Sequence, residues 1–123
     1  ALHTKDEKTM PGQAEDLIRD YWKSCEPGDF NKLTPYYAED AILIDPIYGT
    51  FTGRDKISGF MEQMTGVMKE ANSQFSVEEV AGDETCAWSR WKATTADGVA
   101  TGSSIYRIQD GLITFEQDYT NPP

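Results

Sequence analysis

Histidine is nearly absent from the sequence: the only one, His3, lies in the polar segment ALHTKDEKTMPGQ at the start of the chain. Ser-His-Asp and Cys-His catalytic sites, and the common histidine-bearing zinc sites, need an imidazole held within the fold. The sequence therefore excludes these sites. Any chemistry must use carboxylates and phenols, and we expect neither a metal nor a cofactor.

Basic residues and long apolar runs are also scarce. The 11 basic residues are outnumbered by 21 acidic ones, for a formal charge of -10, whereas nucleic acids and anionic membranes require a basic surface. No apolar run approaches the roughly 18 residues of a membrane span, and no signal peptide is evident. We expect a cytoplasmic protein with a hydrophobic small-molecule partner, without nucleic acid or membrane, although a start at Ala1 is compatible with a removed leader.

Cysteine is represented only by Cys25 and Cys86, which lack the C-x-x-C spacing of redox and metal sites. We expect both to be buried, reduced core residues. A chain of 123 residues has the size of one domain. We place that domain at residues 13–123 and predict a flexible arm at residues 1–12.

Apolar residues at the spacing of a helical face predict three helices in the N-terminal half. The first starts at Gln13 and ends near Pro27-Gly28, the second spans residues 30–37 with Asp29 as its cap, and the third spans residues 54–69. Between the last two, AILID predicts a strand buried on both faces. The following PIYGTFTG predicts a loop or a short hairpin.

The rest of the sequence is patterned as strands joined by tight turns. Asp97-Gly98 and Asp110-Gly111 supply the positive φ of hairpin turns, and Gly82-Asp83 marks a third turn. The four strands cover residues 74–81, 85–95, 99–108 and 112–120. Helices followed by antiparallel hairpins predict an α+β fold, with the helices on one face of a bent antiparallel sheet.

Side-chain alternation predicts a cavity on one face of this sheet. Small residues interleave there with Trp91 on one strand and with Tyr106 on the next, whereas Trp88 faces the other side. The small residues are Ala87, Ser89, Ala93, Ala100, Gly102 and Ser104. They leave room against the first and third helices, and the apolar face of the third helix carries Phe60 and Met64. We predict that these two helix residues bind substrate together with Ser104, Trp91 and Tyr106.

Asp45 ends the apolar strand and directly precedes Pro46. A buried carboxylate costs several kcal/mol unless it is hydrogen-bonded or neutral, which favours a functional role. Aspartate before proline is also a common turn starter, and both interpretations stay open. Tyr21 is likewise either a core aromatic residue or a phenol that donates to an oxyanion.

Glu116, Asp118 and Thr120 share one face of the last strand. For Glu116 we favour a solvent-exposed edge face. For Asp118, an exposed position and a position facing the cavity are equal alternatives.

The series YWKSCEPGDFNKLTPYYAEDAILIDPIYGTFTGRDKI, then SRW, then IYRIQDGLITFEQDY, resembles the SnoaL-like and ketosteroid-isomerase-like branch of the NTF2-like superfamily. The resemblance covers nearly the whole chain after Gln13. It implies an NTF2-like cone, in which a curved antiparallel sheet and three helices enclose an apolar pocket. It also implies a homodimer through the outer sheet face, where Trp88 is expected.

The resemblance further implies roles for individual residues. The general base of ketosteroid isomerases, an aspartate before a proline, corresponds to Asp45, and a tyrosine that donates to the dienolate oxygen corresponds to Tyr21, seven residues before Gly28. The second acid of these enzymes corresponds to Ser104, which can donate a hydrogen bond but is not a comparable acid. SnoaL-like cyclases imply an acid/base aspartate on the last strand, near Asp118.

Asp45, Tyr21 and Asp118 are thus the predicted catalytic residues of an isomerase or cyclase. Such an enzyme would move a proton α to the carbonyl of a steroid, terpenoid or polyketide. The alternative is a non-catalytic module of the same fold that binds a hydrophobic ligand or forms a dimer.

Overall fold

A computed structural model describes residues 12–25 and 28–123 of the chain. The helices in these residues are α1 (Gln13–Ser24), a 3-10 helix (Phe30–Tyr36) and α2 (Arg54–Glu70). The strands are β1 (Tyr37–Asp45), β2 (Gly49–Thr52), β3 (Gln74–Gly82), β4 (Cys86–Thr95), β5 (Gly98–Gln109) and β6 (Leu112–Asn121). The order of elements confirms the α+β prediction. The predicted arm at residues 1–12 lies outside the described residues apart from Gly12, as do residues 26 and 27 at the predicted end of the first helix.

The six strands form one mixed sheet in the order β2-β1-β6-β5-β4-β3. Neighbouring strands are antiparallel except β1 and β6, which run parallel. The expectation of an antiparallel sheet is corrected at this one pair, because β1 and β6 are far apart in sequence and no turn signal joins them. The pairing places β6 inside the sheet, between β1 and β5.

The hairpins lie where the turn residues predict them. Asp110 and Gly111 have positive φ angles of 53° and 77°, as the two central residues of a type I′ turn require. The segment after Asp45 also forms a hairpin, in which β2 runs antiparallel to β1. The turns therefore set the register of the strands that carry the inward-facing polar residues.

The helices lie on one face of the sheet. Helix α1 packs against β3 and β4, and α2 packs against the 3-10 helix, β1 and β2. Burial of an apolar side chain such as Ile18, which has no exposed surface, contributes roughly 1.5–3 kcal/mol. Polar contacts also hold α1 at the end of β3: Arg19 donates to the carbonyl of Val80 at 2.8 Å, and Glu15 accepts from the amide of Gly82 at 3.1 Å.

Strand β1 is buried on one face only. Ala41 and Leu43 have no exposed surface, whereas 38% of Ile42 is exposed. The expectation of a strand buried on both faces was wrong, because the helices cover the inner face of the sheet and leave the outer face open.

Strands β4 and β5 alternate as predicted. Ala87 and Ser89 are buried on the inner face, and 40% of Trp88 is exposed on the outer one. Gly102 faces Trp91 on the neighbouring strand, and a Cβ at Gly102 would overlap the indole ring. The absence of a side chain there lets Trp91 lie across β5 on the inner face.

The two cysteines differ in their surroundings. Cys25 is buried as expected, but Cys86 is only half-buried on the outer side of β4. There Nη1 of Arg107 lies 3.4 Å from its Sγ. The expectation that Cys86 is a core residue was wrong, because nothing among the described residues covers this face of the sheet.

Candidate active site

A largely apolar cavity of about 290 Å³ lies between the helices and the inner face of the sheet. Of the residues predicted to bind substrate, Phe60, Met64, Trp91 and Ser104 line it. Tyr106 does not line it: its side chain is fully buried behind the wall, and its hydroxyl lies 2.9 Å from Oγ of Ser89. The predicted catalytic residues Tyr21, Asp45 and Asp118 all reach the cavity.

Two carboxyl groups of β6, Glu116 and Asp118, face the cavity side by side. Glu116 is 3% exposed and Asp118 is 9% exposed, and their side chains share a hydrogen bond. Burial raises the pKa of Glu116, and hydrogen bonds from Asp118 and Tyr37 offset part of this rise. Burial, followed by the charge of Glu116, raises the pKa of Asp118 well above its usual value. Both carboxyl groups therefore hold a proton more firmly than exposed carboxyl groups do.

Glu116 is the functional residue that sequence reasoning missed. The expectation of an exposed edge is wrong, because the parallel pairing with β1 makes β6 an interior strand. The spacing of Glu116 and Asp118 was the available signal, since residues two apart on a strand point to the same face.

A chain of hydrogen bonds runs through the carboxyl pair. Tyr37 donates to Oε1 of Glu116, and the hydroxyls of Tyr21 and Tyr37 lie 2.6 Å apart. Because Tyr37 gives its only hydroxyl proton to Glu116, it accepts the proton of Tyr21. Burial, and then the charge of Glu116, raises the pKa of both phenols, which keeps them neutral donors.

Ser104 connects the pair to the other side of the cavity. Its hydroxyl donates to Oδ1 of Asp118 at 2.7 Å and accepts from the indole N–H of Trp91 at 3.2 Å. Since a hydroxyl has one proton to donate, that proton goes to Asp118 rather than to a ligand. In this arrangement Ser104 orients Asp118.

Asp45 combines the two features that sequence reasoning treated as alternatives. It lines the cavity, and its Oδ1 also accepts from the backbone amides of Ile47 at 2.9 Å and Tyr48 at 3.0 Å, as a turn cap does. Among the described residues, no hydrogen bond is made to its Oδ2. Its charge also raises the pKa values of Glu116 and Asp118.

The model of the SnoaL-like domain family matches residues 18–116. The chain belongs to the SnoaL-like family. The match covers Tyr21, Asp45 and Glu116, and it ends just before Asp118. No curated protein matches this SnoaL-like domain.

Solved structures share the NTF2-like fold of this SnoaL-like protein. A candidate ketosteroid isomerase from Kribbella flavida is 21% identical, with a TM-score of 0.77 over 94% of this chain and 82% of that one. An NTF2-like protein of unknown function from Cytophaga hutchinsonii is 16% identical, with a TM-score of 0.70 over 89% and 90%. A protein of ketosteroid isomerase-like fold from Catenulispora acidiphila, in complex with trimethylamine, is 18% identical, with a TM-score of 0.65 over 85% and 84%. At these identities the likeness shows the fold alone.

Two features of the described residues of this SnoaL-like domain bear on other functions. No group of three or more His, Cys, Asp or Glu side chains among them is arranged to hold a metal ion. None of their helices is long and apolar enough to cross a membrane.

Proposed function

We propose that this SnoaL-like domain is an enzyme that transfers a proton α to the carbonyl of a hydrophobic small molecule. The reaction is of the isomerase or cyclase type, and it uses only carboxyl and phenol groups. The observation that carries the proposal is the buried Glu116–Asp118 pair, which faces an apolar cavity that Asp45 also lines. Burial raises the pKa values of both members of the pair.

Asp45 is the proposed base. It takes a proton from the carbon next to the carbonyl, the C–H electron pair forms a C=C bond, and the C=O pair moves onto the oxygen. Asp118 gives its proton to that oxygen and becomes a carboxylate. In a substrate with a C=C bond between its β and γ carbons, Asp45 returns its proton to the γ carbon, and the β,γ electron pair forms the new C–H bond. The enol C=C pair moves to the α,β position, and the O–H pair restores the C=O bond as Asp118 regains its proton, which completes an isomerisation.

Asp118 supplies the proton donor that Ser104 cannot be. A serine is too weak an acid to protonate a developing enolate, whereas a carboxyl group with a raised pKa is better matched to it. Asp118 accepts from Ser104 across the strand pair, so the acid lies one strand away from the position that the resemblance implies. Tyr21 supports this acid through Tyr37 and Glu116.

Proton exchange tests the proposal directly. The ketone 3,3-dimethyl-1-phenylbutan-1-one has an apolar skeleton and α protons, and the enzyme should exchange these for deuterium in heavy water. Asp45→Asn should abolish the exchange while ligand affinity is kept, because the amide oxygen can still accept from Ile47 and Tyr48. Asp20→Asn, on the exposed face of α1, is the matched control.

If Asp45→Asn changes only the stability of the protein, Asp45 is not the base. That result would favour the second candidate, a non-catalytic module that binds a hydrophobic ligand. The observation in its favour is the pair of backbone amides that Asp45 caps.

We also propose a homodimer through the outer sheet face. Large apolar side chains are exposed there on neighbouring strands. They are Ile42, Trp88, Ile105 and Tyr119. A partner copy that covers them would remove a continuous apolar surface from water.

A further inference from the structure

The cavity has an uncompensated negative charge. Asp45, Glu116 and Asp118 line it, and no Lys, Arg or His is among the described residues that do so. Three carboxyl groups therefore share one cavity without a cationic side chain beside them. A buried charge without a partner is costly, so a ligand of positive charge would gain most from entering.

The ion pairs of the described residues lie away from the cavity. Of the ion pairs in the described part of the chain, one joins Arg19 to Glu15 and the other joins Arg90 to Glu79, and neither reaches the cavity. Arg54 lies 3.5 Å from the backbone carbonyl of Tyr37 and does not line the cavity. Because no cationic side chain among the described residues lines the cavity, a ligand could supply the counter-charge against its wall.

Trp22, Phe75 and Trp91 form an aromatic wall of the cavity, which leads to the carboxyl pair. The ring centroids of Trp22 and Phe75 are 5.2 Å apart, and those of Phe75 and Trp91 are 5.4 Å apart. Trp91 donates to Ser104, which donates to Asp118, so the wall ends at the acid. Aromatic faces beside carboxylates are the surroundings that bind alkylammonium groups, whose charge is spread over apolar substituents.

Trp22 provides a second, independent sign of a ligand. Its side chain lines the same cavity and is 8% exposed, yet its indole N–H has no hydrogen-bond partner within the described residues. A buried donor without an acceptor is destabilising, and such groups in native proteins need an explanation. An acceptor oxygen on the ligand would satisfy it.

We propose that the cavity selects an organic cation: a carbonyl compound that carries a tertiary or quaternary nitrogen on an apolar skeleton. The nitrogen lies against Trp91 and the Glu116–Asp118 pair. A neutral ligand would leave the carboxyl groups without a counter-charge, and an anion would be repelled. For the carbonyl this inference rests on the proposed function, whereas the charge of the ligand does not depend on catalysis.

Two probes of equal shape test the charge. Phenacyltrimethylammonium and 3,3-dimethyl-1-phenylbutan-1-one differ only in a quaternary nitrogen in place of a quaternary carbon. Titration followed by protein NMR should show the cation binding tighter by on the order of tenfold. The anion 3-benzoylpropionate should bind more weakly than either. Equal or tighter binding of the neutral ketone, or no binding of the cation, would overturn the proposal.

Variants that remove charge from the cavity test whether the preference for the cation arises there. The double variant Glu116→Gln/Asp118→Asn removes the charge of the pair and should reduce the preference for the cation, and Asp45→Asn provides a second variant should the first fail to fold. Glu62→Gln, which removes one exposed carboxylate on α2, should leave the preference unchanged. A preference that survives both cavity variants would contradict the assignment.

The two proposals fail separately. Exchange of the α protons of the neutral ketone without a preference for the cation would support proton transfer and overturn the cationic ligand. A strong preference for the cation without exchange of either probe would support the cationic ligand and overturn proton transfer.

Discussion

The hydroxyl of Ser104 donates to Oδ1 of Asp118 at 2.7 Å, and the two residues lie directly opposite each other on β5 and β6. A serine at the position where the resemblance to ketosteroid isomerases implies a second acid therefore contacts a carboxyl group on the next strand. Glu116, on the same face as Asp118, shares a hydrogen bond with that acid and raises its pKa. The site thus contains a carboxyl group whose pKa is raised by burial and by the charge of Glu116, although the residue that the resemblance points to is not an acid.

Asp118→Asn should reduce the rate of α-proton exchange by about 100-fold or more, since it removes the proposed general acid. An asparagine can still accept from Ser104 and donate to Glu116, so we expect a folded protein with unchanged affinity for the neutral ketone. Exchange followed by NMR, alongside ligand titration, checks this. A rate equal to that of the wild type would remove Asp118 from the mechanism.

Tyr21→Phe should slow the exchange on the order of 100-fold, because Tyr37 loses the hydrogen bond that the hydroxyl of Tyr21 donates to it. The lost hydrogen bond should lower the free energy of unfolding by about 1 kcal/mol, which leaves the domain folded. Tyr36→Phe is the control: its ring lies 5.6 Å from that of Tyr21, and its hydroxyl is not part of the chain. Equal rates for the two variants would refute a specific role for Tyr21.

The carboxyl pair should make stability depend on pH in an unusual direction. For an acid whose pKa is raised by folding, the native state binds the proton more tightly. Its stabilising effect is complete below the usual values of 3.8 for Asp118 and 4.5 for Glu116, and it is lost as the pH rises through the folded pKa values. We expect the double variant Glu116→Gln/Asp118→Asn to lose less stability than the wild type as the pH rises from about 4 to 8.

Urea unfolding of both proteins across this pH range measures the effect. The difference between the two free energies of unfolding removes the contribution of the other carboxylates, which titrate in both proteins. Parallel curves would show that the pair does not have raised pKa values in the folded state.

Gly102→Ala should destabilise the domain by about 1–3 kcal/mol, because the added Cβ would overlap the ring of Trp91. It should also weaken ligand binding, since Trp91 lines the cavity. Gly66→Ala is a matched control on an open face of α2 and should stabilise by roughly 0.5–1 kcal/mol. Thermal unfolding and ligand titration of both variants decide whether Trp91 depends on this glycine.

Ile105→Lys should turn a dimer into a monomer. Ile105 is 42% exposed and lies opposite Trp88 on the outer face, so a buried lysine there would oppose association. Light scattering should show half the mass of the wild type, and Gln63→Lys, on the exposed face of α2, should leave the mass unchanged. A wild-type protein that is already monomeric would contradict the proposed dimer.

Local patterns in the sequence determined most of the fold. The helical spacing before Cys25, the Asp-Gly turns and the alternation around Trp91 predicted elements that the structure contains, because each depends on neighbours a few residues apart. The same alternation distinguished the inner face of β4 and β5 from the outer one. The ordered series of motifs also indicated the family, because those motifs are contained in the residues themselves.

Only the tertiary structure decided the composition of the acid site. The parallel pairing of β1 with β6 joins segments that are far apart in sequence, and it turns the last strand from an edge into the wall of the cavity. Burial then raises the pKa values of Glu116 and Asp118, and folding brings Tyr37 and Ser104 within hydrogen-bonding distance of them. No local pattern contains this information, because the pKa of a carboxyl group depends on the solvent and the charges that the whole fold places around it.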